Sequence, residues 1–312
     1  MNIFNQKVVL GAWAWGSGIA GGDQVFGNSL TEEELRPVFE RAFEKKLTFW
    51  DTAAVYGMGD SERILGTFVK DKERKDFFIS TKFTPQIAGN SEHPAEVMLD
   101  ESMVRLNIDY VDIYWIHNNA DVKRWTPELI SLAKNGKIKN IGVSNHNLDE
   151  IKQANDILKK EGLKISAVQN HYSLLHRYSE KNGIIDYCKD NDIVFFSYMI
   201  LEQGALSGKY NSNNPFPKKS QRAFYYNDKL PRMDKLINIL KEIADGYKVS
   251  VAQIVTAWAI YKGTLPIIGV TSVEQVDDIL NATEISLSQS DIKKIEDSAD
   301  NVSISTVREW ES

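Results

Sequence analysis

Cysteine is almost absent from this chain of 312 residues, and the single Cys188 excludes a disulfide within the chain. Cys188 lies in GIIDYCKDND, a pattern typical of an amphipathic helix, where a buried structural thiol is favoured over a nucleophile. Histidine is also scarce, with five residues. Because none of them pairs with carboxylates at a spacing typical of a metal site, we predict no bound metal.

A long apolar run and an excess of one charge are missing as well. No apolar segment approaches the ~20 residues that span a membrane, and the segment MNIFNQKVVLGAW lacks the apolar core of a secretory signal. The 43 acidic and 37 basic residues are intermixed, for a net charge of −6, without a basic tract. We therefore expect a soluble, cytoplasmic protein with no nucleic-acid or membrane partner. The sequence does not indicate its oligomeric state.

Short apolar segments and amphipathic segments alternate along the chain. The apolar segments predict eight strands, at 8–13, 47–51, 77–82, 111–117, 138–144, 165–170, 193–198 and 266–269. The amphipathic segments predict helices at 31–46, 61–70, 94–107, 126–137, 148–160, 180–191, 233–247, 250–262 and 272–283. Several strands are almost continuously apolar, as in parallel strands covered on both faces. This α/β alternation predicts a (β/α)8 TIM barrel, with 1–312 as a single domain.

Two predicted loops are long, the one after the first strand and residues 199–230. Loops of this length are typical of segments that cover a substrate or cofactor. A doubly wound open sheet is the alternative architecture. It usually carries GxGxxG between its first strand and helix, whereas here GWGSGIAGG precedes a helix that begins only near residue 31.

Titratable residues mark the carboxyl ends of three neighbouring predicted strands. Asp51 ends the second strand and is followed by Tyr56, Lys82 ends the third, and His117 ends the fourth. Alone, each has an ordinary structural interpretation: a turn-forming aspartate, a tyrosine under a loop, a solvated lysine, a buried histidine. Because reactive groups of a barrel lie at the carboxyl ends of its strands, the four residues together predict one site.

These four residue types suit proton transfer to an oxygen that gains negative charge. A phenol is a weak acid, and a neighbouring ammonium lowers its pKa. We therefore expect Lys82, held by Asp51, to make Tyr56 a general acid, with His117 orienting the substrate oxygen. Hydride addition to a carbonyl creates such an oxygen, and this hydride must come from a nicotinamide cofactor.

The segments DTAAVYG, STK, DIYWIH, IGVSN, VQN, EQGALSGKY and PIIGVTS occur in this order. In this set the sequence resembles the aldo-keto reductase superfamily along nearly its whole length. The resemblance implies a (β/α)8 barrel and NAD(P)H-dependent carbonyl reduction. It places the catalytic tetrad on Asp51, Tyr56, Lys82 and His117, with Tyr56 as the proton donor.

The resemblance also implies a set of cofactor contacts. Ser144, Asn145 and Gln169 would bind the nicotinamide amide, and Tyr198 would stack on its ring. The loop 204–209 would cover the pyrophosphate. The full set of implied cofactor residues is Trp13, Ser144, Asn145, Gln169, Tyr198, Leu201, Gly204, Leu206, Lys209, Gly269, Thr271, Ser272 and Gln275. Taken alone, Ser144 and Asn145 also fit an ordinary turn before a helix.

Two departures from the family pattern concern this cofactor site. Met199 and Ile200 follow Tyr198, where the family often has Ser-Pro, so the backbone there can take another path. Thr271, Ser272 and Gln275 replace the basic residues that many members use to bind the adenosine 2′-phosphate, and a neutral contact is weaker than a charged one. Lys209 is the nearest basic candidate. NADPH is the expected cofactor, and NADH is possible.

The sequence predicts a small-molecule carbonyl substrate with an aromatic, apolar binding site. The proposed walls are Trp13, Trp15, Trp310 and the aromatics of 216–226, together with Tyr56 and His117. One alternative is a cofactor-binding regulatory or sensing subunit of the same fold with little turnover. Another is a barrel isomerase or lyase with Lys82 as a Schiff-base amine, which leaves the remaining polar set unexplained.

Overall fold

Eight parallel strands close into a barrel in the computed structural model, which describes residues 6–311. The strands follow one another in chain order, and the last pairs with the first. They are β1 Val9–Gly11, β2 Phe49–Asp51, β3 Phe78–Phe83, β4 Ile113–Ile116, β5 Ile141–Ser144, β6 Ile165–His171, β7 Val194–Tyr198 and β8 Leu265–Gly269. The predicted (β/α)8 barrel is confirmed, and each predicted strand overlaps an observed one.

Helices connect the strands and surround the barrel. The α-helices are α1 Gly22–Val25, α2 Glu32–Glu44, α3 Asp60–Val69, α4 Pro94–Leu106, α5 Val122–Trp125, α6 Glu128–Lys134, α7 Leu148–Lys159, α8 Tyr178–Lys181, α9 Ile184–Asp190, α10 Gln221–Tyr226, α11 Leu230–Tyr247, α12 Val251–Tyr261, α13 Val273–Ala282 and α14 Gln289–Asp300. Short 3₁₀ helices occur at Tyr56–Gly59, Arg74–Asp76, Pro85–Ile87, Glu202–Gly204 and Glu309–Glu311. No helix between residues 6 and 311 has the length and apolar character to cross a membrane.

The helices differ from the sequence-based prediction in several places, and three of these differences are described here. The helix predicted at 180–191 is two helices, α8 and α9, because Gly183 between them adopts a left-handed conformation with φ 72°. Helix α10 lies within the long loop 199–230, which was predicted without regular structure. Helix α14 was not predicted, although Ser288 caps it and Ile292 and Ile295 are buried at helical spacing.

The barrel interior is filled with side chains. Trp115 of β4 packs there with Phe49, Phe196 and other apolar residues. Gly142 of β5 is required beside it, because a Cβ at this position would lie 2.2 Å from Trp115 Cε3. Since the interior holds no channel, polar groups for chemistry have to lie at the ends of the strands.

Candidate active site

The four predicted catalytic residues meet at the carboxyl ends of β2, β3 and β4. Lys82 is fully buried, and its Nζ donates to Asp51 Oδ2 at 2.5 Å and to the Thr52 carbonyl at 2.8 Å. The same Nζ lies 3.3 Å from the Tyr56 hydroxyl oxygen. The His117 ring lies 5.7 Å from the Tyr56 ring, nearly perpendicular to it. The structure thus brings all four side chains together.

Glycines shape the loop that presents Tyr56. Gly57 and Gly59 both have positive φ, at 58° and 96°, and Met58 between them has φ 50°. A Cβ on Gly57 would lie 2.7 Å from the Ser17 carbonyl oxygen, so the loop after β1 packs directly on this backbone. The tight turn leaves the Tyr56 ring stacked on Trp13 at 5.5 Å. The glycines of this segment are therefore needed to place the phenol.

Burial dominates the electrostatics of Tyr56. It raises the pKa of the phenol above its ordinary value, and the opposing effect of the Lys82 ammonium is smaller. Lys82 lowers this pKa, as expected, but the net shift is upward, because the sequence did not show how deeply the phenol is buried. Burial acts to lower the pKa of Lys82, but Asp51 and Tyr56 outweigh it and raise that pKa. At neutral pH the phenol therefore holds its proton and the amine is charged.

His117 is neutral at neutral pH. Burial, and then the Lys82 charge, hold its pKa well below the ordinary value. Its Nδ1 lies 2.9 Å from Thr84 Oγ1. When this hydroxyl donates to Nδ1, the ring hydrogen resides on Nε2, where it can be donated. Thr84 was not predicted, although it follows Lys82 by two residues and so lies on the same side of the extended chain.

The residues predicted to bind the nicotinamide amide adjoin this cluster. Asn145 Nδ2 donates to the His117 carbonyl at 2.9 Å, and Asn145 Oδ1 accepts from the Tyr198 hydroxyl at 2.7 Å. Gln169 Nε2 lies 3.2 Å from Asp51 Oδ1. Ser144 is buried at the end of β5, with its Oγ 3.3 Å from Asn145 Nδ2. These groups and the catalytic candidates form one hydrogen-bonded assembly.

The residues predicted to bind the phosphates lie on two other loops. The Thr271 backbone N–H donates to Gln275 Oε1 at 2.6 Å. Ser272 caps α13, which begins at Val273, shortly after Gly269 at the end of β8. In the loop after β7, Leu201 precedes a 3₁₀ turn and Gly204 has φ 103°. The side chains of the two remaining candidates are placed differently: that of Leu206 is fully buried, and Lys209 is exposed. Leu206 can therefore reach a ligand only through its backbone.

Arg222 of α10 is a basic residue in this region that sequence analysis missed. Its guanidinium donates to the Phe26 and Gln203 carbonyls, at 2.6 Å and 3.2 Å, and lies 5.1 Å from the Phe216 ring. Its Nε is buried without a hydrogen-bond partner, and no carboxylate within residues 6–311 pairs with it. A Cβ on Gly204 would lie 3.7 Å from its Nη1. In the sequence, Arg222 is marked only by its position among the aromatic residues of 216–226.

Several aromatics predicted as substrate walls belong to the core instead. Trp15 is fully buried, its Nε1 donates to the Val270 carbonyl at 2.7 Å, and its ring packs on Trp50 at 4.9 Å. Phe216 and Tyr226 are also buried, within the long loop. The prediction for these three residues was wrong, because aromatic residues that fix a loop and those that line a site look alike in sequence.

Six residues form a closed circuit of contacts around the site, which we call the rim. Trp310 stands at 5.9 Å edge-on to Trp13, and its Nε1 donates to the Tyr198 hydroxyl at 3.2 Å. The contacts already described complete the circuit. The rim consists of Trp13, Tyr56, His117, Asn145, Tyr198 and Trp310. The structure therefore keeps Trp13 and Trp310 as candidate substrate walls.

A buried ionic network, also missed, adjoins Tyr198 through Glu311. His171 donates from Nε2 to Glu202 at 2.9 Å and from Nδ1 to Glu311 at 2.8 Å. Ser173, Tyr226 and Thr306 also donate to the Glu202 carboxylate. The network joins β6, the long loop and the C-terminal segment, which are far apart in sequence.

The fold and the site together define a (β/α)8-barrel oxidoreductase with its polar groups at the carboxyl ends of the strands. The sequence model of the Aldo/keto reductase family matches residues 7–300, and the chain belongs to this family. An aldo-keto reductase of Gibberella moniliformis is 31% identical over 298 residues, which cover 89% of this chain and 88% of the relative. The aldo-keto reductase yakc [NADP(+)] of Schizosaccharomyces pombe is 30% identical over 315 residues, covering 93% and 89%.

Among solved structures, a thermostable aldo-keto reductase in complex with the inhibitor epalrestat is similar to this chain. The TM-score is 0.76 at 26% identity, with 94% of this chain and 95% of that chain covered.

Proposed function

We propose that this protein reduces an aldehyde or ketone to the alcohol, with hydride from a nicotinamide cofactor and a proton from Tyr56. The observation that carries the proposal is Lys82 Nζ, which lies between the Asp51 carboxylate and the Tyr56 hydroxyl in a fully buried position. The barrel fold does not require a buried lysine next to a phenol. The arrangement suits an acid whose conjugate base, the phenolate, must be stabilised.

Each residue then has a role in handling the carbonyl oxygen. Tyr56 donates its proton as negative charge develops on that oxygen. The Lys82 ammonium stabilises the phenolate left behind, and Asp51 keeps the ammonium charged. Neutral His117 donates from Nε2 to the same oxygen and fixes its direction, with Thr84 maintaining this tautomer.

The residues present fit a dinucleotide cofactor. Arg222 brings a half-buried guanidinium without a carboxylate partner, whose Nε is orphaned, next to Gly204, and such a group is suited to a phosphate. Asn145 and Gln169 present amide groups beside the candidate acid, and Tyr198 offers a ring. When bound, the nicotinamide supplies the hydride.

NADPH is the cofactor we propose, with NADH as a possible alternative. The name of the Schizosaccharomyces pombe relative carries NADP(+). Here Thr271, Ser272 and Gln275 offer a 2′-phosphate neutral groups only, and Arg222 is the basic residue that we propose as a phosphate contact. Trp13 and Trp310 favour a substrate with an apolar or aromatic body.

Tyr56→Phe tests this proposal. We expect the variant to lose at least about 100-fold in kcat for benzaldehyde reduction, because the phenyl ring keeps the stack on Trp13 but carries no proton. Consumption of reduced cofactor is followed by absorbance, and cofactor affinity by tryptophan fluorescence, which should change little. Retained activity would exclude Tyr56 as the acid. Cofactor binding by the wild-type protein without any turnover would favour a regulatory or sensing subunit.

A further inference from the structure

The C-terminal segment carries a carboxylate to the rim. Glu311 follows Trp310, and its Oε1 accepts from His171 Nδ1 at 2.8 Å and lies 3.2 Å from the Tyr198 hydroxyl oxygen. Its side chain is 8% exposed. The second oxygen, Oε2, is buried and has no hydrogen-bond partner within residues 6–311. A buried carboxylate oxygen without a donor is costly, and a ligand that supplies a donor removes that cost.

The hydrogen bonds made by the neighbouring side chains do not include Glu311 Oε2. His171 divides its two N–H groups between Glu202 and Glu311. Trp310 Nε1 donates to Tyr198. The nearest arginine of this segment, Arg308, lies over the Tyr225 ring at 3.8 Å, with Nη2 3.5 Å from Gln203 Oε1. Within residues 6–311, Arg308 Nε is also buried without a partner, and no hydrogen bond joins it to Oε2.

A metal ion is a poor candidate for that group. His171, His176 and Glu311 do place potential ligand atoms within 4.8 Å of one another. The two imidazole rings, however, stack 4.1 Å apart at an angle of 7°. Their in-plane lone pairs thus run in parallel planes and do not converge on one ion, and both nitrogens of His171 already bond carboxylates.

We propose that Glu311 is a specificity-determining residue that binds a hydrogen-bond donor on the substrate, an ammonium or a hydroxyl group. Its position beside Tyr198 and Trp310 places this acceptor at the rim, across from Tyr56 and His117. A carbonyl compound with a donor at its far end satisfies Oε2, whereas one with a carboxylate meets a like charge. The inference rests on the proposed carbonyl reduction, and it narrows the substrate class.

Three para-substituted benzaldehydes of similar shape test it, bearing a protonated dimethylaminomethyl group, a methyl group or a carboxylate. In the wild-type protein we expect kcat/KM to fall in that order. Glu311→Gln keeps an oxygen for His171 and Tyr198 but replaces the orphaned acceptor with an amide donor. We expect it to lower the ratio of kcat/KM for the ammonium over the carboxylate substrate by about tenfold or more.

Glu309→Gln is the matched control, because it removes the same charge two residues away and should leave that ratio unchanged. An equal loss of Glu311→Gln on all three substrates would reduce Glu311 to a structural role and overturn the inference, as would an unchanged ratio. If the wild-type protein reduces none of the three, the proposed function itself fails. Should Glu311→Gln not fold, competition by dimethylbenzylamine and by its uncharged isostere isobutylbenzene in the wild-type protein decides: inhibition by isobutylbenzene that equals or exceeds that by the amine contradicts the inference.

Discussion

At Tyr56, burial and the neighbouring ammonium act on the same proton in opposite directions. Burial prevails and keeps the phenol protonated, while Lys82 at 3.3 Å stands ready for the charge that appears after proton transfer. The ground state of the acid is thus held neutral, and the stabilising charge is preorganised around its product. The same burial keeps His117 uncharged, so it acts as a donor without adding a competing proton.

The pH dependence of reduction follows from these two residues. The pKa of His117 is lowered, so its charge does not change above its ordinary pKa of 6.5, and the pKa of Tyr56 is raised above 10.0. We expect kcat/KM for benzaldehyde to stay nearly constant from about pH 6.5 to about pH 9 and to fall only as Tyr56 loses its proton. Steady-state rates across this range check it. An inflection near pH 6.5 would mean that His117 titrates in the free enzyme.

At the scale of secondary-structure elements, Glu202 connects three segments that are far apart in the sequence. It sits in a loop where Met199, Glu202 and Gln203 all have positive φ, at 57°, 48° and 52°. Such conformations cost about 1 kcal/mol or more each for residues with a side chain. The bonds that His171, Ser173, Tyr226 and Thr306 donate to Glu202 offset this cost and hold the loop after β7 against the C-terminal segment.

We expect Glu202→Gln to lower the free energy of unfolding by about 3 kcal/mol, because it removes one partner of a buried ion pair. Glu161→Gln, which removes the exposed partner of Lys134, is the matched control and should change little. Urea denaturation of both variants measures the difference. Equal effects in the two variants would contradict a structural role for the buried network.

The contribution of this network to stability should decrease both at low pH and at high pH. Burial acts to raise the pKa of Glu202, but His171, Ser173 and Tyr226 lower it to about 2 from an ordinary 4.5, so its contribution is lost as pH falls toward 2. Burial acts to lower the pKa of His171, but Glu202 and Glu311 raise it to about 9 from 6.5, so its contribution is lost as pH rises through 9. The difference between wild type and Glu202→Gln should therefore peak between about pH 4.5 and 6.5.

The long loop also supplies Arg222, and its removal should weaken phosphate binding. We expect Arg222→Met to raise the Kd for NADPH about tenfold, since a charged hydrogen bond contributes roughly 1.5–3 kcal/mol. Methionine can still pack against Phe216. Lys209→Met is the control, because Lys209 is exposed and its removal should matter less. A larger loss for Lys209→Met in a fluorescence titration would place the phosphate contact there.

At the scale of the whole molecule, the prediction that 1–312 is a single domain implies one cooperative folding unit. We expect a single unfolding transition in urea, with tryptophan fluorescence and far-UV circular dichroism giving the same midpoint. The tryptophans report on several regions, among them Trp15 near β1 and Trp258 of α12. Two separated transitions would divide the chain into independent units.

Much of this molecule could be predicted from sequence, because a parallel barrel repeats one pattern. Eight apolar segments were sufficient for the strands, and Asp51, Tyr56, Lys82 and His117 were found because strand ends converge. Contacts between distant segments were not visible. Glu202, His171 and Glu311 lie in unrelated parts of the sequence, and nothing local shows that they meet. Trp15 was placed in the site for the same reason. Its contacts with Val270 and Trp50 form only in the folded barrel and are not visible in the sequence.

Closure of the barrel depends on contacts between the two ends of the chain. Leu10 of β1 pairs with Ile268 of β8, and Trp15 donates to Val270. At a synthesis rate of about 5–20 residues per second, β8, the second neighbour of β1, is made roughly 10–50 s after β1. Throughout that interval the nascent chain exposes unpaired strand edges, which are prone to associate with other chains. The arrangement that makes the finished barrel edge-free thus makes its unfinished form depend on protection while it is being translated.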